Sequence, residues 1–342
     1  MQPKLQSLAK ILANKQQSFQ TKKLFFYFLS FTVYFLLSAL PACAQTVKNS
    51  CPPKLVIATP PKNLDTIFPN LDKTCGEAEK FISSPQKMLS ELAKVDVIYL
   101  GETHSRSLDH QNQLKIIQEL YQRNPKIAIA MEMFQRPYQG VVNEFLAGKL
   151  TEAQLLEKSQ YEKRWGFPWE NYAPILRFAK QKQLPVLALN TPTEITRKVA
   201  RQGLESLTPS ERQFIPPFAE IRTDNQEYRE LALQAFQHHQ DAGHGNSPSA
   251  ERFFLAQVLW DETMAEAITK FVKANPEHQV VVLAGAGHII YGYGIPSRVE
   301  RRLGNQKFTQ RSVLLSPSED ATKGKTPRVA DFILDKTSPL AP

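Results

Sequence analysis

Four short stretches of this sequence carry side chains suited to acid–base or metal chemistry, and each follows an apolar run: Gly101-Glu102-Thr103-His104, Glu132, Asn190-Thr191 and Gly285-Ala286-Gly287-His288. Glutamate and histidine supply oxygen and nitrogen donors that suit zinc, manganese or iron. Glu102, His104, Glu132 and His288 therefore form a candidate ligand set for a divalent metal ion. The same two carboxylates, Glu102 and Glu132, also suit a general acid and base working without metal. The glycines ahead of Glu102 and His288 permit close backbone approach. Singly, each group is ordinary, since a Glu after a strand commonly caps a helix or pairs with a base, and a lone His is commonly a satisfied polar residue. Recurrence at several strand ends is what points to one site.

The elements that must position these groups are legible as buried strands. Runs at 95–100 (VDVIYL), 127–131 (IAIAM), 185–189 (PVLAL) and 279–284 (QVVVLA) are short, apolar and rich in β-branched residues, the pattern of strands covered on both faces. Between the first two lies 107–123, with Leu114, Ile117, Leu120 and Tyr121 at three- and four-residue spacing, an amphipathic helix and hence a βαβ unit. A further helix from about Asn171 puts Tyr172, Ile175, Leu176 and Ala179 on one face. The stretch 193–275 lacks strand signals and starts helices instead. Thr208-Pro209-Ser210-Glu211 is a capping box with proline at its first helical position, and 250–274 carries an apolar stripe that Asn275-Pro276 ends. Residues 240–248, with two glycines, read as a loop, and 312–315 and 331–334 read as an antiparallel pair at a sheet edge. The expected fold is α/β, a mainly parallel central sheet flanked by helices with an inserted helical subdomain at about 193–275. In such sheets ligands bind beyond the carboxyl ends of the strands, where the chemical residues fall.

Composition narrows the function classes. The chain has 342 residues, 42% hydrophobic and 22% charged, which suits one folded body. The formal charge is +9, but residues 1–44 hold five lysines and no acid. Without them 37 bases face 33 acids, a mild and dispersed excess that speaks against a nucleic-acid-binding face. No G-x-S-x-G elbow is present, and Gly285-Ala286-Gly287 falls short of a dinucleotide fingerprint.

Residues 24–40 form an uncharged apolar run after Lys22-Lys23 and before Pro41 and small residues, which is secretory signal architecture. Residues 1–44 are read as a signal peptide or a lipoprotein signal. Ala42-Cys43-Ala44 fits a small-x-small cleavage site, Leu40-Pro41-Ala42-Cys43 resembles a lipoprotein box in which Cys43 would carry lipid, and an uncleaved anchor is the third alternative. The product would be exported, either periplasmic or membrane-anchored. Residues 45–76 form a proline-rich arm in which Cys51 and Cys75 either pair as a disulfide or stay as thiols. The folded domain is placed at 77–335, with a tail at 336–342.

Several stretches together resemble the ChaN-like haem-binding uptake proteins: Gly101–His104, Met131-Glu132-Met133-Phe134, 165–178 (WGFPWENYAPILRF), 185–190, 260–265 (WDETMA) and 283–296 (LAGAGHIIYGYGIP). The likeness is scattered over about residues 80–335. That group is similar to the wider Tiki and erythromycin-esterase superfamily, which shares a G-E-x-H motif, a later Glu and a C-terminal His, positions taken here by Glu102, His104, Glu132 and His288. The resemblance implies a parallel-sheet core with a helical subdomain, an exported and often lipidated protein, haem bound across a homodimer, and a role in iron acquisition. Haem needs an apolar slot and an axial donor, for which Tyr228, His238, His239 and Tyr291 are the candidates. The superfamily kinship implies the alternative, a metal-dependent hydrolase using Glu102 and Glu132.

Overall fold

The computed structural model describes residues 85–241, 247, 249–304, 307–316 and 328–334. The signal segment, the proline-rich arm with its cysteines, residues 242–246 of the glycine loop and the C-terminal tail lie outside the described residues, as do the side chains of His238 and His239.

Six strands form one parallel sheet in the order β3-β2-β4-β1-β5-β6: β1 Val97–Glu102, β2 Ile127–Gln135, β3 Val186–Asn190, β4 Gln279–Gly285, β5 Gln310–Leu314 and β6 Phe332–Ile333. The four apolar runs become β1 to β4 because their side chains alternate between two buried faces. Ile98, Leu100, Val281 and Leu283 join one cluster, with Met88, Ile116, Leu120, Ile175 and Leu176 of the helices Pro85–Leu92, Ser107–Arg123 and Ala173–Lys182. Val97, Tyr99, Val280 and Val282 join the other, with Met264 and Ile268 of the helix Ala250–Ala274 and Ile295 and Val299 of the helix Ile295–Leu303.

Strand β4 lies between β1 and β2 although β1 and β2 are joined through the helix Ser107–Arg123. The chain leaves β1 toward one face and leaves β4 toward the other, so a crevice opens at their carboxyl ends. At the β3 edge, Gln139 stands in for a further strand: its amide Nε2 donates to the Val186 carbonyl (2.8 Å) and its Oε1 accepts from the Ala188 amide (2.7 Å). This blunts an otherwise exposed edge.

Between β3 and β4 the described residues are helical, as expected, with helices Thr193–Gln202, Pro209–Arg212, Gln226–Asp241 and Ala250–Ala274. The Thr208 capping box forms with both reciprocal bonds. Glu262, fully buried on the last of these helices, accepts from Arg301 and Arg302 at 2.7 Å and lies 3.4 Å from Arg298, tying the insertion to Ile295–Leu303.

Two expectations are corrected. β5 and β6 pair parallel, Val313 with Phe332 and Leu314 with Ile333, where an antiparallel pair was expected. The intervening stretch 315–331 has the length of a crossover, which parallel pairing requires and a hairpin does not. β2 runs to Gln135, past the apolar run, so Glu132 sits inside the strand, where the register with β3 shifts between Met131 and Gln135.

Candidate functional site

The end of β1 buries Glu102 (2% exposed) under the helices Ser107–Arg123 and Ala173–Lys182. Its Oε1 accepts from His104 Nδ1 (2.7 Å) and from the Tyr172 hydroxyl (2.6 Å), and its Oε2 accepts from Gln113 Nε2 (2.6 Å). Burial alone would raise the pKa of this carboxyl, but His110, 3.4 Å from Oε2, and His104 outweigh it and hold Glu102 well below the usual carboxylate range. Burial and the Glu102 charge push the Tyr172 phenol well up, so it stays a donor.

With an ionised carboxylate at Nδ1, the proton of a neutral His104 sits on Nδ1 and Nε2 keeps its lone pair. That Nε2 rests against the backbone of β4: a Cβ built on Gly285 would lie 2.9 Å from it and 3.7 Å from Glu132 Oε2. Glycine at 285 is therefore what lets the His104 ring sit against β4 on the side where Glu132 also approaches. The rings of Trp165 and Phe167 flank His104 at centroid distances of 4.7 and 4.9 Å.

Glu132 projects from β2 to the face of the helix Ala250–Ala274. Its Oε2 accepts from the Gly285 amide (2.8 Å) and its Oε1 lies 3.4 Å from His288 Nε2. The other His288 nitrogen, Nδ1, lies 2.6 Å from Asp261 Oδ1, on a carboxylate with no exposed surface that also accepts from the Tyr228 hydroxyl. Burial would lower the His288 pKa, but Glu132 and Asp261 outweigh it and push it up to about 10, so His288 is an imidazolium at neutral pH. In turn, burial would raise the pKa of Glu132, and the His288 charge holds it below its ordinary value.

Glu102, His104, Glu132 and His288 thus gather at the carboxyl ends of β1, β2 and β4 as two carboxylate–imidazole pairs, the second carrying the His288 positive charge. This set can take a proton and stabilise an anion beside it. Among the described residues no group of three or more His, Cys, Asp or Glu side chains is placed to hold a metal ion; Glu102 accepts from three hydrogen-bond donors and both His288 nitrogens face carboxylates.

Among the candidate haem ligands, Tyr228 is buried (2% exposed) with its hydroxyl committed to Asp261. Tyr291 is half-buried, holds a left-handed backbone (φ 56°) and stacks on Tyr293 at 5.5 Å and 29°. Its hydroxyl forms no hydrogen bond among the described residues. Asn190 and Thr191 are buried at the end of β3, with Asn190 Oδ1 and Thr191 Oγ1 unpartnered there.

The sequence reading missed Asp261, His110, Gln113 and Tyr172 as members of the site. A usable signal was present for two of them. Asp109, His110, Asn112 and Gln113 are all buried at the start of the helix Ser107–Arg123, and polar residues on the core face of an amphipathic helix need partners. Asp261 lies within 260–265, a stretch that carries the family resemblance, but on a helix whose other signal is an apolar stripe.

Residues 88–299 match the family described as haem-binding uptake, Tiki superfamily, ChaN. A curated relative, Protein RETICULATA-RELATED 5, chloroplastic, of Arabidopsis thaliana, is 26% identical over 276 residues, 75% of this chain but only 36% of that protein. The fold is shared with ChaN of Campylobacter jejuni, a structure described as showing cofacial haem binding, at TM-score 0.56 and 17% identity over 73% of this chain and 91% of that one. An erythromycin esterase in its open conformation is a more distant likeness, at TM-score 0.41 and 14% identity over 67% of this chain and 72% of that one. The chain belongs to the ChaN family of haem-binding uptake proteins in the Tiki superfamily.

Proposed function

We propose that this chain binds haem as an exported component of haem or iron uptake, with Tyr291 holding the haem iron. The observation that carries the reading is the state of the candidate donors in a chain of this family. Tyr228 is buried and donates to Asp261, whereas Tyr291 presents a half-buried phenol stacked on Tyr293. A phenolate oxygen is a competent axial ligand, and the flat apolar rings beside it suit a porphyrin face. Haem, when bound, would supply the iron and the cargo; the chain's own part is to hold and shield it. Export through the N-terminal segment, a lipid on Cys43 and a homodimer that closes over haem complete the reading.

Haem titration of the domain tests it. A Soret band should appear with wild-type protein and be lost or shifted in Tyr291→Phe, and light scattering should report a dimer with haem added. No Soret change on titration would sink the reading.

A second reading is favoured by the two carboxylate–imidazole pairs, which haem binding does not use. We propose that His104 Nε2 takes a proton from a water while the His288 cation faces the anion that develops, a hydrolytic site that works with protein groups alone. Hydrolysis of p-nitrophenyl acetate, abolished in His104→Gln and unaffected by chelators, is the expected result. Equal rates in wild type and His104→Gln would refute it.

A further inference from the structure

Unpartnered polar atoms collect at the end of β3, which neither reading above uses. Asn190 (8% exposed) and Thr191 (1% exposed) lead directly into the helix Thr193–Gln202, and Asn190 Oδ1 and Thr191 Oγ1 have no hydrogen-bond partner among the described residues. The helix start beside them is open. Its N-cap is Pro192, which supplies no side-chain cap, and the first intrahelical bonds run from the amides of Ile195 (2.9 Å) and Thr196 (3.3 Å) to the Pro192 carbonyl. The amides of Thr193 and Glu194 therefore have no carbonyl of their own helix to meet.

An arginine is tied to this turn. Arg164 Nη1 donates to Gln135 Oε1 (2.8 Å) and to Glu194 Oε2 (3.0 Å), and Gln135, which lies opposite Asn190 in the β2–β3 register, donates from Nε2 to Thr193 Oγ1 (2.5 Å). Arg164 Nε is buried and meets no acceptor among the described residues. A guanidinium N–H can only donate, so what the cluster lacks is an acceptor. We propose that the turn between β3 and the helix Thr193–Gln202 binds the carboxylate of a ligand, with Arg164 Nε, the Thr191 hydroxyl and the Thr193 amide as its donors. Asn190 can turn its amide nitrogen to the same group, since the two ends of a carboxamide occupy the same space. Charge selects the class. The helix start and the guanidinium favour an anion, and Glu194, whose side chain is 62% exposed, holds Arg164 only weakly. Glu194 nevertheless takes part of that charge, and Glu266 takes that of the neighbouring Arg136 at 2.7 Å. The rim thus balances one negative charge, which suits a carboxylate and disfavours a phosphate dianion.

Sodium acetate added to the full chain, with sodium chloride keeping the ionic strength constant, tests the site. The 1H–15N spectrum reports the Arg164 Nε–H and the Thr193 amide directly. Both signals should shift saturably with acetate and stay in place with acetamide, which has the same shape and no charge. Inorganic phosphate should bind more weakly than acetate. Read on the Thr193 amide, Arg164→Gln should weaken acetate binding about tenfold through the loss of a charge-assisted hydrogen bond. Thr191→Val keeps the side-chain shape and should weaken it about fivefold. The wild-type measurements need no variant to fold: no saturable shift with acetate, an equal response to acetamide, or tighter binding of phosphate would each overturn the proposal. Wild-type affinity for acetate in a folded Thr191→Val or Arg164→Gln would overturn it as well.

Discussion

The His288 imidazolium gives the folded state a pH dependence whose sign and size follow from its surroundings. The ring is buried between Asp261 (2.6 Å) and Glu132 (3.4 Å), and its pKa is pushed up to about 10 from an ordinary 6.5. A raised pKa means that the folded state holds the proton more tightly than the unfolded chain. The stabilisation is then complete below about pH 6.5 and is lost as pH rises through about 10. At about 1.36 kcal/mol per unit, one-site linkage gives roughly 4 kcal/mol at pH 7 and roughly 2 kcal/mol at pH 8.5. Urea unfolding of wild type and His288→Gln at these two pH values reads the difference, and the subtraction cancels titrating groups that do not touch His288. Wild type should lose about 2 kcal/mol more than the variant across the window, or about 4–8 °C in Tm for a domain of this size. At pH 7 the variant should itself be less stable by about 3 kcal/mol, because Asp261 and Glu132 are left buried without their cation. Parallel pH dependences in the two proteins would refute the reasoning, since the ring could not then be the charged member of the group.

Other outcomes follow from close contacts. A Cβ on Gly294 would lie 2.2 Å from the His288 main-chain oxygen, so Gly294→Ala should cost about 3 kcal/mol in urea unfolding, as backbone cannot step aside cheaply. Gly285→Ala meets a side chain instead, His104 Nε2 at 2.9 Å, and should lower stability by only about 1 kcal/mol while removing any turnover of p-nitrophenyl acetate; unchanged turnover would show that the ring position is immaterial. Glu262→Leu leaves Arg298 buried without its carboxylate, while Arg302 keeps Glu220, and should destabilise by about 3 kcal/mol at pH 7, read by the urea midpoint.

The strands and long helices were legible because their patterns admit few alternatives. A short run of β-branched residues such as 279–284 can satisfy its backbone and bury both faces only inside a parallel sheet, and Ser107–Arg123 and Ala250–Ala274 are helices over the very residues their periodicity marks. The capping box at Thr208 is a local device and needed no fold to be read. The direction of β6 was not legible, since two apolar residues carry no orientation.

For the site, the residue types announced acid–base chemistry and their place after apolar runs announced a common sheet end. What they become depends on strand order. Because β4 enters between β1 and β2, Gly285 lies against both His104 and Glu132, and His288 is delivered to Glu132 on one side and to Asp261 on the other. The pairing of His104 with Glu102 is local, but the His288 cation arises from Asp261 and Glu132, both more than 25 residues away in the chain and held close in a buried site, where water cannot screen them. Local sequence specifies which side chains can titrate; only the packed sheet and its two helix layers decide which of them carries the charge.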